Sequence, residues 1–282
     1  MKNLYFLLLT FSTQIGATEG GNSNYTPGFY GDFAMAAAME KGLYFNNFMA
    51  AYQDNTGKTG TVMDLPSFEL VTDYKILGGT YVAGIYPGAA FTKDSTGTKN
   101  QSRLGGEDVY LMPLYINWQW QDFSASVFEG VIAPSGYYKT GALNTGLNIW
   151  TFDHNLALTL KLPAENELSV NLGYMNNLKN YATGYHNGDE FHLDYTLGHY
   201  LTPKLGLGIT GSFYRQVSPD HAPISILATT PTEASSIGPV LMFAPHLFNR
   251  EVTLSLKWLH EFDVQARPAQ DYLIFRAVWC FE

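Results

Sequence analysis

Apolar and polar residues alternate along most of the chain beyond residue 60, the pattern of β-strands with one apolar face. Even positions from Trp150 run Trp150, Phe152, His154, Leu156, Leu158, Leu160 and Leu162, with Thr151, Asp153, Asn155, Ala157, Thr159 and Lys161 between them. Residues 167–174, 190–197, 205–213 and 251–258 repeat the pattern. Further strands are expected at about 43–53, 65–77, 79–91, 107–120, 122–132, 236–246 and 270–281, which brings the total to about twelve. The connections alternate between two classes. Gly78-Gly79, Gln121, the turn at 163–166, Thr202-Pro203 and 246–249 are short; 54–64, 92–106, 133–148, 176–189, 217–235 and 263–269 are longer, most of them rich in Gly, Ser, Thr and Asn. Short turns on one rim and long loops on the other predict an all-β protein: a transmembrane antiparallel up-and-down β-barrel of a bacterial outer membrane. Both termini would lie on the short-turn, periplasmic side.

Composition separates this from a soluble β-sandwich, which also alternates. Charged residues are 15% of the 282, against about a quarter in globular chains, while aromatics reach 15%. The polar face is mostly Ser, Thr, Asn and Gly, which suits a confined lumen better than a wet surface. Aromatics gather at strand ends, among them Trp118, Trp120, Trp150, Tyr200, Tyr214 and Trp279, as interfacial girdles require. A net charge of −9 offers no basic footprint for nucleic acid. The single cysteine, Cys280, excludes a disulfide framework.

The first 17 residues read as a signal peptide: Lys2, an apolar stretch from Leu4 to Phe11, then Gly16-Ala17. Residues 18–42 form an N-terminal segment before the barrel of 43–282. Its Ala- and Met-rich stretch Phe33 to Lys41 is compatible with a short helix, serving either as a plug or as a periplasmic extension. The last strand presents Leu273, Phe275, Ala277, Trp279 and Phe281 outward and resembles an assembly-signal strand, except that Glu282 follows the final aromatic.

Alternation assigns Glu69, Asp73, Lys75, Glu129, Asp153, Lys161, Glu190, His192, Asp194, Lys257 and Arg276 to the lumen, as ion-pair filler or as a substrate path. His154 falls on the lipid stripe, and Arg215 falls outward at a loop-side end. A lipid hydrolase would need a Ser-His pair with an orienting acid or Asn. No histidine has a nucleophile signature beside it, and only His186 and His192, with Asp189 and Glu190 between, approach metal-ligand spacing. No enzyme activity, cofactor or metal is therefore expected.

More specific are five short motifs: Pro134-Ser-Gly-Tyr-Tyr138, Asn148-Ile-Trp150, the stretch from Tyr181 to Glu190, the stretch from Tyr214 to Asp220, and Ile237-Gly-Pro239. In this order the chain resembles the MetA-pathway of phenol degradation family over about residues 25–282, with Ser135 where that family commonly has Thr. The resemblance implies an outer-membrane barrel that transports hydrophobic or aromatic compounds, and it carries no catalytic residues. The leading expectation is a passive channel for a small organic molecule, with Tyr137, Tyr138, Tyr181, Tyr185 and Tyr214 as a loop-side aromatic funnel. Expected partners are membrane lipid, lipopolysaccharide and the barrel assembly machinery. A plugged structural or interaction barrel is the rival, and a hydrolase using His154 or His199 ranks behind both.

Overall fold

A computed structural model describes residues 23–97, 100–222, 231–247 and 250–281. The signal peptide expected over residues 1–17 falls outside the described residues. The chain forms β1 (Gly42–Asp54), β2 (Thr59–Ile76), β3 (Gly79–Tyr86), β4 (Ala89–Asp94), β5 (Gln101–Gly106), β6 (Val109–Gln119), β7 (Phe123–Ala133) and β8 (Thr151–Leu162). There follow β9 (Asn166–Asn177), β10 (Glu190–Thr202), β11 (Leu205–Gln216), β12 (Glu233–Phe243), the two-residue β13 (His246–Leu247), β14 (Arg250–Gln265) and β15 (Gln270–Cys280). Neighbours pair antiparallel around the sheet, and β1 pairs with both β2 and β15, so the sheet closes. Twelve strands make the wall: β1, β2, β3, β6 to β12, β14 and β15. Closure leaves these twelve wall strands without a free edge, which is what lets backbone polar groups sit in hydrocarbon.

The expected strand at 79–91 is broken at Pro87-Gly88, and its upper part, β4, keeps pairing with β2. Opposite it, Glu107-Asp108 separates β5 from β6, and the Glu107 amide donates to the Gly88 carbonyl at 2.9 Å. The expected loop 92–106 therefore holds a hairpin, and 54–64 is mostly strand with a tight turn. These extensions bury Met63 and Ala90 inward and set Val62, Phe91 and Leu104 in one exposed row, but each is too short for its alternation to stand out in the sequence.

Outward positions such as Leu156, Leu160, Leu197, Leu207, Ile209, Leu241, Leu256, Trp258 and Leu273 are exposed, forming the lipid-facing wall of a bacterial outer-membrane barrel. Their inward neighbours, including Ser126, Asp153, Ser169, Asn171, His192, Asp194, Thr210 and Lys257, are buried. Burial of so many polar groups inside a barrel of this size requires something to fill it.

The filler is the segment 23–41, which is not helical as expected from its Ala-rich stretch. Apart from turn bonds from the Phe29 amide to the Thr26 carbonyl and from the Ala37 amide to the Ala34 carbonyl, its amides bond mainly to wall side chains. Ala34 donates to Glu167 at 2.5 Å, Met35 to Ser169 at 3.4 Å, Ala36 to Thr159 at 2.9 Å and Ala38 to Gln119 at 3.2 Å. The segment runs the length of the lumen as a strap. Ser23 meets Glu190 at the long-loop rim, and Lys41 meets Asp73 at the short-turn rim, where β1 begins. Residue 23 therefore lies at the outer mouth, not on the periplasmic side expected for both ends, whereas β15 does finish at the periplasmic rim.

Because Leu158 points outward near the middle of the wall, Leu158→Arg should destabilise the barrel by about 2–4 kcal/mol. Equilibrium folding into lipid vesicles under urea would measure the loss.

Candidate functional site

The strap is fastened to one side of the barrel by buried ionisable groups. Asp194 accepts from the Tyr25 hydroxyl at 3.0 Å and from the Gly28 amide at 2.9 Å. Asp153 accepts from the Tyr30 hydroxyl at 2.6 Å and bonds His192 Nε2 at 2.9 Å. The His192 ring stacks on Tyr25 and Tyr30, with centroids 4.4 and 5.5 Å away, and lies over Gly173, where a Cβ would come within 1.9 Å of it. Glu190 holds Ser23 and accepts from Asn177 at 2.9 Å. Lys257 donates to the carbonyls of Gly28 and Gly31 and pairs with Asp32 at 3.1 Å. Phe33 is seated in a socket formed by two glycines on adjacent strands, since a Cβ on Gly198 or Gly206 would stand 2.1 or 2.9 Å from its ring. An unpaired buried charge is costly, so each of these contacts both fixes the strap and neutralises the wall.

The opposite side of the strap is apolar and aromatic. Phe29, Tyr30, Met35 and Met39 pack against a cluster that includes Val71, Val82, Tyr86, Met112, Tyr115 and Phe128. Two cavities flank this contact. The outer one, about 1010 Å³ counting space open to solvent, is lined by residues including Tyr52, Met63, Leu65, Glu107 and Tyr110. The inner one, about 1660 Å³ on the same measure, is lined by residues including Met35, Met39, Phe48, Met112, Tyr115 and Met242. Phe29, Tyr30, Tyr86 and Tyr110 line both and form the partition between them. Their rings interlock: Phe29 lies 4.8 Å from Tyr30 and 6.1 Å from Tyr110, Tyr86 lies 5.3 Å from Tyr110, and the Tyr30 and Tyr110 hydroxyls are 3.0 Å apart.

Of the residues that alternation assigns to the lumen, Glu69, Asp153, Glu190, His192, Asp194 and Lys257 are buried inside and Arg276 is half-buried there. Glu69 accepts from Asn46 and Tyr86, and Arg276 donates to Asn46, so these two groups brace the wall beside the partition. Asp73, Lys75 and Lys161 are exposed at the periplasmic ends of their strands. Glu129 does not face the lumen. Phe128 and Gly130 occupy the inward positions of β7, so Glu129 lies on the outer wall, bonded to His154 Nδ1 at 2.6 Å. His154 Nε2 meets the Asn176 Oδ1 at 2.9 Å, so both ring nitrogens are taken and neither is left to activate a nucleophile. His186 Nε2 meets the Asn177 carbonyl, while His192 is committed to Asp153, so the two do not form a metal pair.

The five loop tyrosines do not form a funnel around the outer cavity. Tyr181 is 89% exposed, whereas Tyr185 is buried with its hydroxyl on Asp220 and Tyr214 is buried against Tyr25. Tyr137 lies under Arg103, and Tyr138 accepts from Asn180 at 3.0 Å. The sequence motifs around them instead pin the loops. Asp108 accepts from the Gly136 and Leu147 amides, both at 2.7 Å, and Asn148 donates to Asn180 at 2.9 Å. Asp108 and Glu107, which sequence reading passed over, therefore set the shape of the outer mouth. The carboxyl of Glu107, above the membrane span, is pushed up to about 8 by burial and then by the neighbouring Asp108.

Two outcomes are expected. Gly198→Leu fills the Phe33 socket and should cost about 1–3 kcal/mol, with Phe33→Ala in the same chain recovering part of it; thermal midpoints by circular dichroism would show both. Glu107 keeps its proton to about pH 8 in the folded chain but releases it near 4.5 when unfolded. Its contribution is complete below 4.5 and lost as pH rises through 8. The wild-type midpoint should therefore fall more between pH 5 and 9 than that of Glu107→Gln.

A search of curated proteins finds no match to the chain. Among solved structures it is similar to an outer membrane channel from Pseudomonas putida F1, at 14% identity and a TM-score of 0.73, covering 91% of this chain and 100% of that one. It is also similar to the transport unit of the autotransporter AIDA-I from Escherichia coli, at 10% identity and a TM-score of 0.52, covering 90% and 93%. Both likenesses concern the fold. Residues 16–277 match the family described as "Putative MetA-pathway of phenol degradation". With nearly the whole chain matched, the protein belongs to that family.

Proposed function

We propose that the protein is a channel of the outer membrane, passing small, mostly apolar organic molecules passively from outside into the periplasm. The observation that carries this is the pair of cavities, one opening to each rim, that meet at the four-ring partition of Phe29, Tyr30, Tyr86 and Tyr110. The polar fastening of the strap is concentrated on β8 to β11 and β14, and although acids such as Asp153 and Glu69 also line the cavities, the surface the strap meets on β2, β3 and β6 is largely methionine and aromatic. Thioether and ring faces suit flat apolar solutes, and Met side chains move aside at low cost. To open the partition, Tyr30 and Tyr110 part from one another: Asp153 keeps the Tyr30 hydroxyl satisfied, while the Tyr110 hydroxyl gives up its bond to Tyr30 and is free for a passing solute. The family match and the channel among the fold relatives support the same reading.

The rival is a barrel sealed by its strap and used as an interaction platform. It draws on one observation: the strap is bonded to the wall from Ser23 to Lys41 without a gap wider than a few residues. Planar bilayers discriminate the two. The wild type should show small single-channel conductance, and Phe29→Ala should raise it several-fold while the barrel still migrates as a folded species on unheated gels. A folded Phe29→Ala barrel with no conductance and no uptake into liposomes would leave the sealed reading in place.

A further inference from the structure

Ionisable side chains on the lipid-facing stripe of a barrel are costly, because the bilayer offers them no water. Three adjacent strands of this wall nevertheless join a polar cluster there. Glu129 on β7, His154 on β8 and Asn176 on β9 all point outward. Glu129 Oε2 lies 2.6 Å from His154 Nδ1, and Asn176 Oδ1 lies 2.9 Å from His154 Nε2. The cluster satisfies itself only in part. Among the described residues, Glu129 Oε1 and the Asn176 amide nitrogen have no hydrogen-bond partner. Whichever of Glu129 and His154 holds the proton between them, Oε1 remains an acceptor, and the amide nitrogen remains a donor. None of the three residues lines either cavity of the lumen. Their height is set by the strand. From His154 down to Leu162, β8 covers about 20 Å of the membrane normal, at about 3.3 Å per residue and a tilt of about 40°. The apolar band of such a barrel is about 25 Å tall, so the cluster stands near its outer margin. Beside it the outer wall is hollowed, with about 890 Å³ counting open space, lined by Glu129 and His154 together with Val127, Leu156, Leu172 and Phe191.

We propose that this hollow binds an outer-leaflet lipid with amide-linked hydroxyacyl chains, the chemistry of the lipid A part of lipopolysaccharide. The site is separate from the lumen and does not depend on the channel reading. One acyl chain lies along Val127, Leu156 and Leu172. At the head of that chain, a hydroxyl or amide N–H donates to Glu129 Oε1, and the amide carbonyl accepts from Asn176. Both open groups of the cluster are then paired at the depth where chain meets headgroup. A glycerol ester lipid offers carbonyl acceptors at that depth but no donor. It would pair Asn176 and leave Glu129 Oε1 desolvated and unmet, which costs more than the bond itself contributes. The cluster therefore reads the linkage of the chain, not the charge of the headgroup.

Native mass spectrometry of the full barrel in detergent would compare lipid A with cardiolipin, which also carries paired phosphates and several chains, all of them ester-linked. Phosphate contacts elsewhere on the wall contribute to both lipids and largely cancel in the ratio. The wild type should bind lipid A about tenfold more tightly than cardiolipin. Glu129→Leu combined with His154→Leu replaces the polar pair by residues that suit a lipid-facing surface, so the barrel should still fold. In that variant the preference should shrink to within about twofold. Glu129→Gln keeps an acceptor and should hold the preference within about threefold of the wild type. Equal affinity for the two lipids in the wild type overturns the proposal, and so does an undiminished preference in the double leucine variant. The wild-type comparison stands even if a variant fails to fold.

Discussion

The interior of this protein depends on the pairing of carboxylates that a closed barrel forces inward. Alternation leaves every second residue facing a narrow lumen, and several of those residues are acids with no room for bulk water around them. Asp153, Asp194, Glu190 and Glu167 are each met by donors from the strap, chiefly tyrosine and serine hydroxyls and main-chain amides. Lys257 answers with the opposite charge, held by two strap carbonyls and Asp32. The strap has no regular secondary structure because the wall supplies its hydrogen bonds. Neither partner satisfies its polar groups alone.

This one-sided fastening explains where space is left. Polar ladders on β8 to β11 and β14 draw the strap to their side, and the two flanking cavities lie beside the stretch where it meets the wall through rings and methionines. The same division separates fixed from yielding parts. A carboxylate with two charge-assisted bonds resists displacement, while a ring contact can be rearranged for a small loss.

Much of the fold was legible in the sequence, and the reasons are physical. Period-two alternation is strict where one face meets lipid, so β8 to β11 and β14 could be read almost residue by residue. It does not stand out in short segments, which is why β5 and the end of β4, in strands of six residues each, were hidden in a supposed loop. Glu129 was misplaced because alternation there was read across a segment of mixed polarity; its neighbours Phe128 and Gly130 show the true phase. Inward acids such as Asp153 and Asp194 were identified, but not what they hold, since bonds spanning more than a hundred residues leave no local mark. The tyrosines of the partition were missed in favour of loop tyrosines, because a tyrosine's place beside a cavity depends on strand tilt and on the path of the strap. The loop motifs were noticed for the family resemblance they carry, whereas their work is to seat Asp108 and Asn180.

One connection gives the molecule a mechanical character. The strap passes directly into β1, and β1 is also the strand that closes the barrel against β15, in register from Tyr44 to Asp54. Tension applied along the strap would reach the main chain of that seam through Gly42. The strap's own anchors lie one after another along its length, so they yield singly, as in peeling. The seam is loaded along the strand axis with all its main-chain bonds sharing the force, as in shear. Peeling requires far less force than shear, so the lumen can be cleared by traction while the ring that surrounds it stays shut.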